Sequence, residues 1–109
     1  MIEREYQPIS FKDVLIEMKD ISELMVDLSY SAILFDSKEI ALEVINLEES
    51  MNKLVYKARI QSVLGARRLE EAEAMSGMLQ VAEAAERIAN SASDIAKLIL
   101  KDVRFPAKL

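Results

Sequence analysis

The segment from Leu69 to Val103 reads LEEAEAMSGMLQVAEAAERIANSASDIAKLILKDV. It contains no proline and a single glycine, and its apolar residues recur every three or four positions, which is the period of an α-helix. One apolar series comprises Met78, Val81, Ala85, Ile88, Ala92, Ile95 and Ile99. A second series comprises Met75, Leu79, Ala82, Ala89, Ala96 and Leu100. The segment therefore predicts one unbroken helix of about 50 Å, at about 1.5 Å per residue.

Two segments upstream carry the same spacing. In the first, the periodic positions are Val14, Met18, Ile21, Met25, Leu28, Ala32 and Phe35. In the second, they are Ile40, Val44, Leu47, Met51, Leu54, Ala58 and Gln61. The sequence thus predicts an all-α fold, an up-down-up bundle of three long antiparallel helices with ends near residues 11 and 35, 37 and 65, and 69 and 103. An irregular arm over residues 1–10 and a tail over residues 104–109 would flank this domain of residues 11–103.

Composition restricts the class of protein. The chain has 109 residues, of which 51% are hydrophobic, so we expect one folded domain. A net charge of -5 argues against general binding to nucleic acid or to anionic membranes, and no apolar run approaches the roughly 20 residues of a membrane span. The absence of Cys and His removes thiol nucleophiles, the usual zinc ligand sets and imidazole bases. We therefore expect a cytoplasmic protein that is not an enzyme, with no nucleic-acid partner and no direct membrane insertion.

The apolar surface of the third helix is wider than an isolated three-helix bundle requires. Its two series cover about half of the helix cylinder, at about 100° per residue. The first helix shows a similar excess through Leu15, Ser22, Val26, Ser29 and Ile33. Wide stripes are also typical of the central helix of a compact bundle, but we interpret them here as an interface and expect a homo-oligomer, such as a dimer. Ile33→Lys is the expected probe, because replacing Ile88 or Ile99 would also disturb folding.

Acidic residues at the borders of the apolar stripes are the candidate site. The candidate metal ligands are Glu48, Asn52, Glu86, Asn90 and Asp94. A carboxylate at a half-buried border needs a partner, because an unpaired desolvated charge is costly. Two interpretations stay open: an ion pair with Arg59 or Arg87, or a divalent cation held by oxygen ligands from two helices. We favour the ion pair, with Arg59 holding Glu86 and reaching Glu48 as well, and expect no cofactor besides this candidate cation.

These segments resemble signature segments of the PhoU family, regulators associated with phosphate transport. Residues 85–96, AERIANSASDIA, are similar to the family's third-helix run, and residues 47–54, LEESMNKL, to its second-helix run. The likeness covers about residues 11–102, a single three-helix repeat where typical members carry two. Family members can bind metal clusters through acid-x-x-x-Asp motifs, which correspond here to Glu48 with Asn52 and Glu86 with Asn90. Because Asn replaces both aspartates, a strong iron or zinc cluster is not expected.

Within this family, the chain is most similar to the archaeal version, in which a single repeat precedes a TrkA carboxy-terminal-type domain in proteins linked to potassium channels. Val55, Tyr56, Arg59 and residues 77–85 carry this likeness. It implies a non-enzymatic regulatory or assembly domain that controls phosphate or potassium transport through helix-mediated, coiled-coil-like oligomerisation. Its candidate partners are a membrane transporter or channel subunit, or a TrkA-type regulatory domain. The alternative is a carboxylate metal-binding helical bundle with hydrolytic or redox activity, which stoichiometric bound metal would favour.

Overall fold

The computed structural model describes residues 11–65 and 69–102, which form three α-helices around one core. Helix α1 spans Phe11–Phe35, α2 spans Lys38–Gly65 and α3 spans Leu69–Leu100, and each helix packs against both others. No strand occurs in these residues, so the all-α prediction is confirmed. Helix α2 begins one residue later than predicted and α3 ends three residues earlier. The predicted arm and tail lie outside the described residues.

A two-residue turn joins α1 to α2. Asp36 has a φ angle of 48°, in the left-handed region, and the Ser37 amide donates a hydrogen bond to the Ala32 carbonyl over 3.0 Å. This is the usual way to satisfy the last carbonyls of a helix. The Ser37 hydroxyl oxygen then accepts a hydrogen bond from the Ile40 amide over 3.2 Å, which caps the start of α2. The short turn places α1 and α2 side by side and antiparallel.

The core combines large side chains, mainly from α1 and α2, with very short ones that predominate on α3, whose large buried member is Ile99. The fully buried long side chains of α1 and α2 are Val14, Met18, Met25, Val44 and Met51. The buried alanines of α3 are Ala82, Ala85, Ala89, Ala92 and Ala96. A methyl side chain lets the backbone of a helix come close to its neighbours. Helix α3 therefore fits between the long side chains of α1 and α2 with its small face inward.

This arrangement corrects part of the predicted core. Val81 and Ile88, assigned from the sequence to an apolar series of α3, are 54% and 46% exposed, whereas the alanine beside each of them on the helix is buried. Phe35, the last member of the α1 series, is also exposed. Periodicity placed these residues and the neighbouring alanines in two series without separating core from surface, but close packing of α3 selects the alanines. The larger residues are left on the outside.

None of the helices in the described part of the chain combines the length and apolar character of a membrane span.

Ser93 provides a stability test of the core. Its hydroxyl oxygen is fully buried and has no hydrogen-bond partner among the described residues. The buried hydroxyl of Ser29, in contrast, donates to the Val26 carbonyl over 2.9 Å. Ser93→Ala is expected to raise the free energy of unfolding by about 1 kcal/mol, because it removes an unpaired polar group and adds the best helix former.

Urea unfolding measures this difference, with Ser29→Ala as the matched control. Ser29→Ala loses a hydrogen bond as well as a hydroxyl, so its gain should be smaller or absent. A Ser93→Ala protein less stable than the unmodified one would contradict the prediction.

Candidate functional site

The predicted site residues lie along the edge between α2 and α3. The side chains of Glu48 and Glu86 are 22% and 26% exposed, so both carboxylates are at a half-buried border as expected. Asn52, Asn90 and Asp94 are exposed. Of the five candidate ligands, only the two glutamates are partly shielded from water.

Each of these glutamates lies beside a cation of the opposite helix. Arg59 Nη2 is 3.7 Å from Glu86 Oε1, which confirms the predicted partner of Glu86. Lys97 Nζ is 3.9 Å from Glu48 Oε1, so the cation beside Glu48 comes from α3 and is not Arg59. The two pairs have opposite polarity: in one, α2 supplies the acid, and in the other it supplies the base.

The two ion pairs lie at separate levels of the bundle. Positions 48 and 59 on α2, like positions 86 and 97 on α3, are eleven residues apart, or about 16 Å along a helix axis at about 1.5 Å per residue. The structure therefore does not bring Glu48 and Glu86 together. Among the residues whose side chains the structure describes, no group of three or more Asp or Glu residues could hold a metal ion. The predicted cation site, with its Asn ligands, stays a prediction.

The contribution of the Arg59–Glu86 pair to stability is expected to be small. Arg59 is 66% exposed, so solvent screens the pair, and the much larger cost of breaking a buried ion pair does not apply. Arg59→Met should lower the free energy of unfolding by at most about 1 kcal/mol, less at high salt. Lys57→Met, on the same helix, is the control for loss of an exposed cation.

A chelator distinguishes the ion-pair interpretation from the cation site. We expect EDTA to leave the melting temperature of the unmodified protein unchanged, because cationic side chains already accompany both half-buried glutamates. If EDTA lowers the melting temperature while Arg59→Met does not, a bound cation holds these carboxylates and the ion-pair interpretation is wrong.

A shallow, open groove between α1 and α2 is the other polar feature. Its lining residues are Glu17, Asp20, Ile21, Ser50, Lys53, Leu54 and Lys57. Acids from α1 face lysines from α2 across it, which is the charge pattern of a solvated helix boundary. The groove shows which edge of α1 faces α2.

The outer face of α3 carries an uncharged strip that the sequence analysis did not recognise as one surface. We call it the outer seam; its residues are Gly77, Val81, Ala84, Ile88, Ser91, Ile95 and Leu98. Successive members are four and three residues apart, which is the spacing of a coiled-coil contact. All are exposed except Ala84 and Ile95, which are half-buried. The signal was present in the sequence, but the larger residues had been grouped there with alanines that the structure places in the core, and the small seam residues had been left out.

A model of the PhoU domain matches residues 15–99. The chain belongs to the PhoU family. The match extends from the first turns of α1 almost to the end of α3, so it includes both ion pairs and the outer seam of this PhoU domain. No curated protein matches the chain in a sequence comparison.

Proposed function

We propose that this PhoU domain is a cytoplasmic, non-enzymatic regulator of phosphate transport that acts through helix-to-helix assembly. The observation that supports it most strongly is the combination of a PhoU match with a seam of seven uncharged residues on one helix, five of them exposed. Exposed apolar strips of this kind are typical of protein interaction surfaces. In this proposal, the domain binds itself and transmits its state to a transport protein through the same kind of contact.

The charge of the chain supports a protein partner over direct binding of phosphate. A net charge of -5 repels an anion at long range. Among the cations of the described edge, Arg59 and Lys97 already lie beside carboxylates. A phosphate ion would have to displace these partners, which makes the edge a poor anion site.

Control of potassium transport is the finer alternative, based on the likeness to archaeal repeats next to TrkA-type domains. In that case, the partner is a channel subunit or a TrkA-type regulatory domain. In both versions the domain acts by binding other helices and catalyses no reaction. The two versions differ in the ion whose uptake depends on this protein.

Removing the gene from its source organism tests the proposal. We expect uptake of radiolabelled phosphate, and its response to external phosphate, to change, and uptake of rubidium, a potassium substitute, to stay the same. Re-expression of the unmodified chain should restore the original uptake. A change in rubidium uptake alone would favour the potassium version, and no change in either would contradict the proposed function.

A further inference from the structure

The outer seam has an internal order of large and small residues. Val81, Ile88 and Ile95 are β-branched and recur every seven residues. The seam residues between and before them, Gly77, Ala84 and Ser91, are all small and also recur every seven residues. One edge of the seam is therefore uniformly bulky, and the other is short from Gly77 to Ser91 and ends in Leu98.

Two features of the seam allow a neighbouring molecule to cover it. A Cβ atom built on Gly77 would meet nothing within 4 Å, so space for a neighbour exists there. The Ser91 hydroxyl donates to the Arg87 carbonyl over 3.1 Å, so its donor does not need water. Burying these residues would not leave the Ser91 donor unpaired.

We infer that the outer seam binds the same seam of a second copy of this chain, with the two α3 helices antiparallel about a two-fold axis. The inference rests on the proposed function, because it specifies the surface through which the domain assembles with itself. The pattern of residue sizes selects both the occupant and the direction. From Gly77 to Ile95, bulky and short residues alternate, and this part of the seam is complementary to itself only in one orientation.

The antiparallel orientation places a large residue opposite a small one at each level between Gly77 and Ile95. With the axis between Ala84 and Ile88, Ala84 faces the partner's Ile88, Val81 faces the partner's Ser91, and Gly77 faces the partner's Ile95. The two-fold axis repeats each contact, which gives six layers of this kind. In a parallel pair, equivalent positions would meet, so bulky layers would alternate with layers of two short side chains and leave gaps.

The neighbouring edge of α1 belongs to the same interface. Ile21 lines the groove towards α2, so Val26 and Tyr30, more than a third of a helix turn away, lie on the other edge of α1, beside α3. Both side chains are exposed. The seam alone, about 32 Å long and about 10 Å wide, presents roughly 300 Å², against about 800 Å² for each partner in a typical stable interface. The apolar edge of α1 adds to this area.

Sedimentation velocity over a concentration series tests the interface. The unmodified chain is expected to sediment as a dimer, and Ile88→Glu should raise the dimer dissociation constant at least about 100-fold, because it buries an unpaired carboxylate. Ile88 is exposed and Ile33 is half-buried against the core, so the sequence-based choice of Ile33 as the probe is replaced by Ile88. Ile60→Glu is the matched control: Ile60 is 43% exposed, close to the 46% of Ile88, but lies on α2. It should leave the dimer intact.

Gly77→Arg is the second variant, because the open space around Gly77 lets the folded monomer accept a long side chain. Helical circular dichroism and melting of each variant confirm that the monomer is folded. A monomeric unmodified chain would overturn the inference, and so would equal weakening by Ile60→Glu and Ile88→Glu.

Cross-linking decides the direction of the pair. The chain has no cysteine, so Gly77→Cys and Ile95→Cys each introduce a unique thiol. A short bismaleimide should link the two variants when they are mixed and should not link Gly77→Cys to itself, because those sites are about 27 Å apart in the antiparallel register. Self-linking of Gly77→Cys would indicate a parallel pair and overturn the inference.

Uptake measurements separate this inference from the proposed function. In the deletion strain, Ile88→Glu should fail to restore phosphate uptake while Ile60→Glu restores it. If a monomeric Ile88→Glu protein restores uptake, the seam is not the functional contact although the regulatory role holds. If deletion leaves uptake unchanged while the chain dimerises through the seam, the proposed function fails and the interface stands.

Discussion

Met25→Ala is expected to lower the free energy of unfolding by about 2 to 5 kcal/mol. Met25 is fully buried in α1. Truncation to a methyl group removes its apolar contacts and leaves a cavity that the surrounding helices can fill only in part. Loss of this size is a large share of the 5 to 15 kcal/mol that is roughly typical of a small domain. Urea unfolding followed by circular dichroism gives the value as a shift in the transition midpoint.

Leu34→Ala is the control for this experiment, because Leu34 is 65% exposed and lies on the same helix. Its effect should stay within about 1 kcal/mol. Equal effects of the two substitutions would mean that Met25 is not in the core and would contradict the packing described here.

Ala89→Leu is expected to destabilise the protein by about 1 to 3 kcal/mol, although leucine is the more hydrophobic residue. Ala89 is fully buried on the face of α3 that packs against α1 and α2. Three additional carbon atoms have no space there unless α3 moves outwards, so the gain from burial is smaller than the cost of strain. The same urea experiment measures the change.

Asn90→Leu is the control for Ala89→Leu, because it introduces the same side chain at the adjacent position. Asn90 is exposed, so leucine there meets water and not the core, and the free energy of unfolding should change by less than about 0.5 kcal/mol. If Ala89→Leu stabilises the protein, α3 does not pack closely against α1 and α2. Close packing would then not be the reason for the alanines on its inner face.

The helices were predictable from the sequence because glycine and proline are nearly absent from their interiors. Gly77 is the exception, and α3 continues through it. Which side of α3 faces inward was not predictable, since Val81 and Ala82 both fit a helical period. The choice depends on how closely the helices approach, and that distance is set by side chains of all three helices together.

The candidate site was likewise predictable from the sequence only in part. The need of Glu86 for a cationic partner followed from its position at the border of an apolar stripe, and Arg59 supplies it. The pairing of Glu48 with Lys97 could not be derived, because it depends on how far α3 is shifted along α2. One residue of displacement would turn Lys97 by about 100° and move it away from that edge.

The repetition of alanine on the inner face of α3 leaves part of the core insensitive to one kind of misalignment. Ala82, Ala89 and Ala96 are separated by seven residues and are all buried. If α3 slipped along its neighbours by two helical turns, one alanine would take the place of another. At these three positions the core does not discriminate between the native alignment and a slipped one, although the same slip would bring Ile99 into the place of Ala92, or Ala92 into that of Ile99.

The Arg59–Glu86 ion pair, in contrast to these alanines, would be lost in such a slip. A shift of seven residues in either direction would replace Glu86 opposite Arg59 by Leu79 or Ser93, and neither can balance a guanidinium charge. Since the exposed pair contributes at most about 1 kcal/mol, its loss would hardly affect the total stability. It would still raise the energy of the slipped form relative to the native one, so the charges on this edge add to the selection of a single alignment that Ile99 provides in the core.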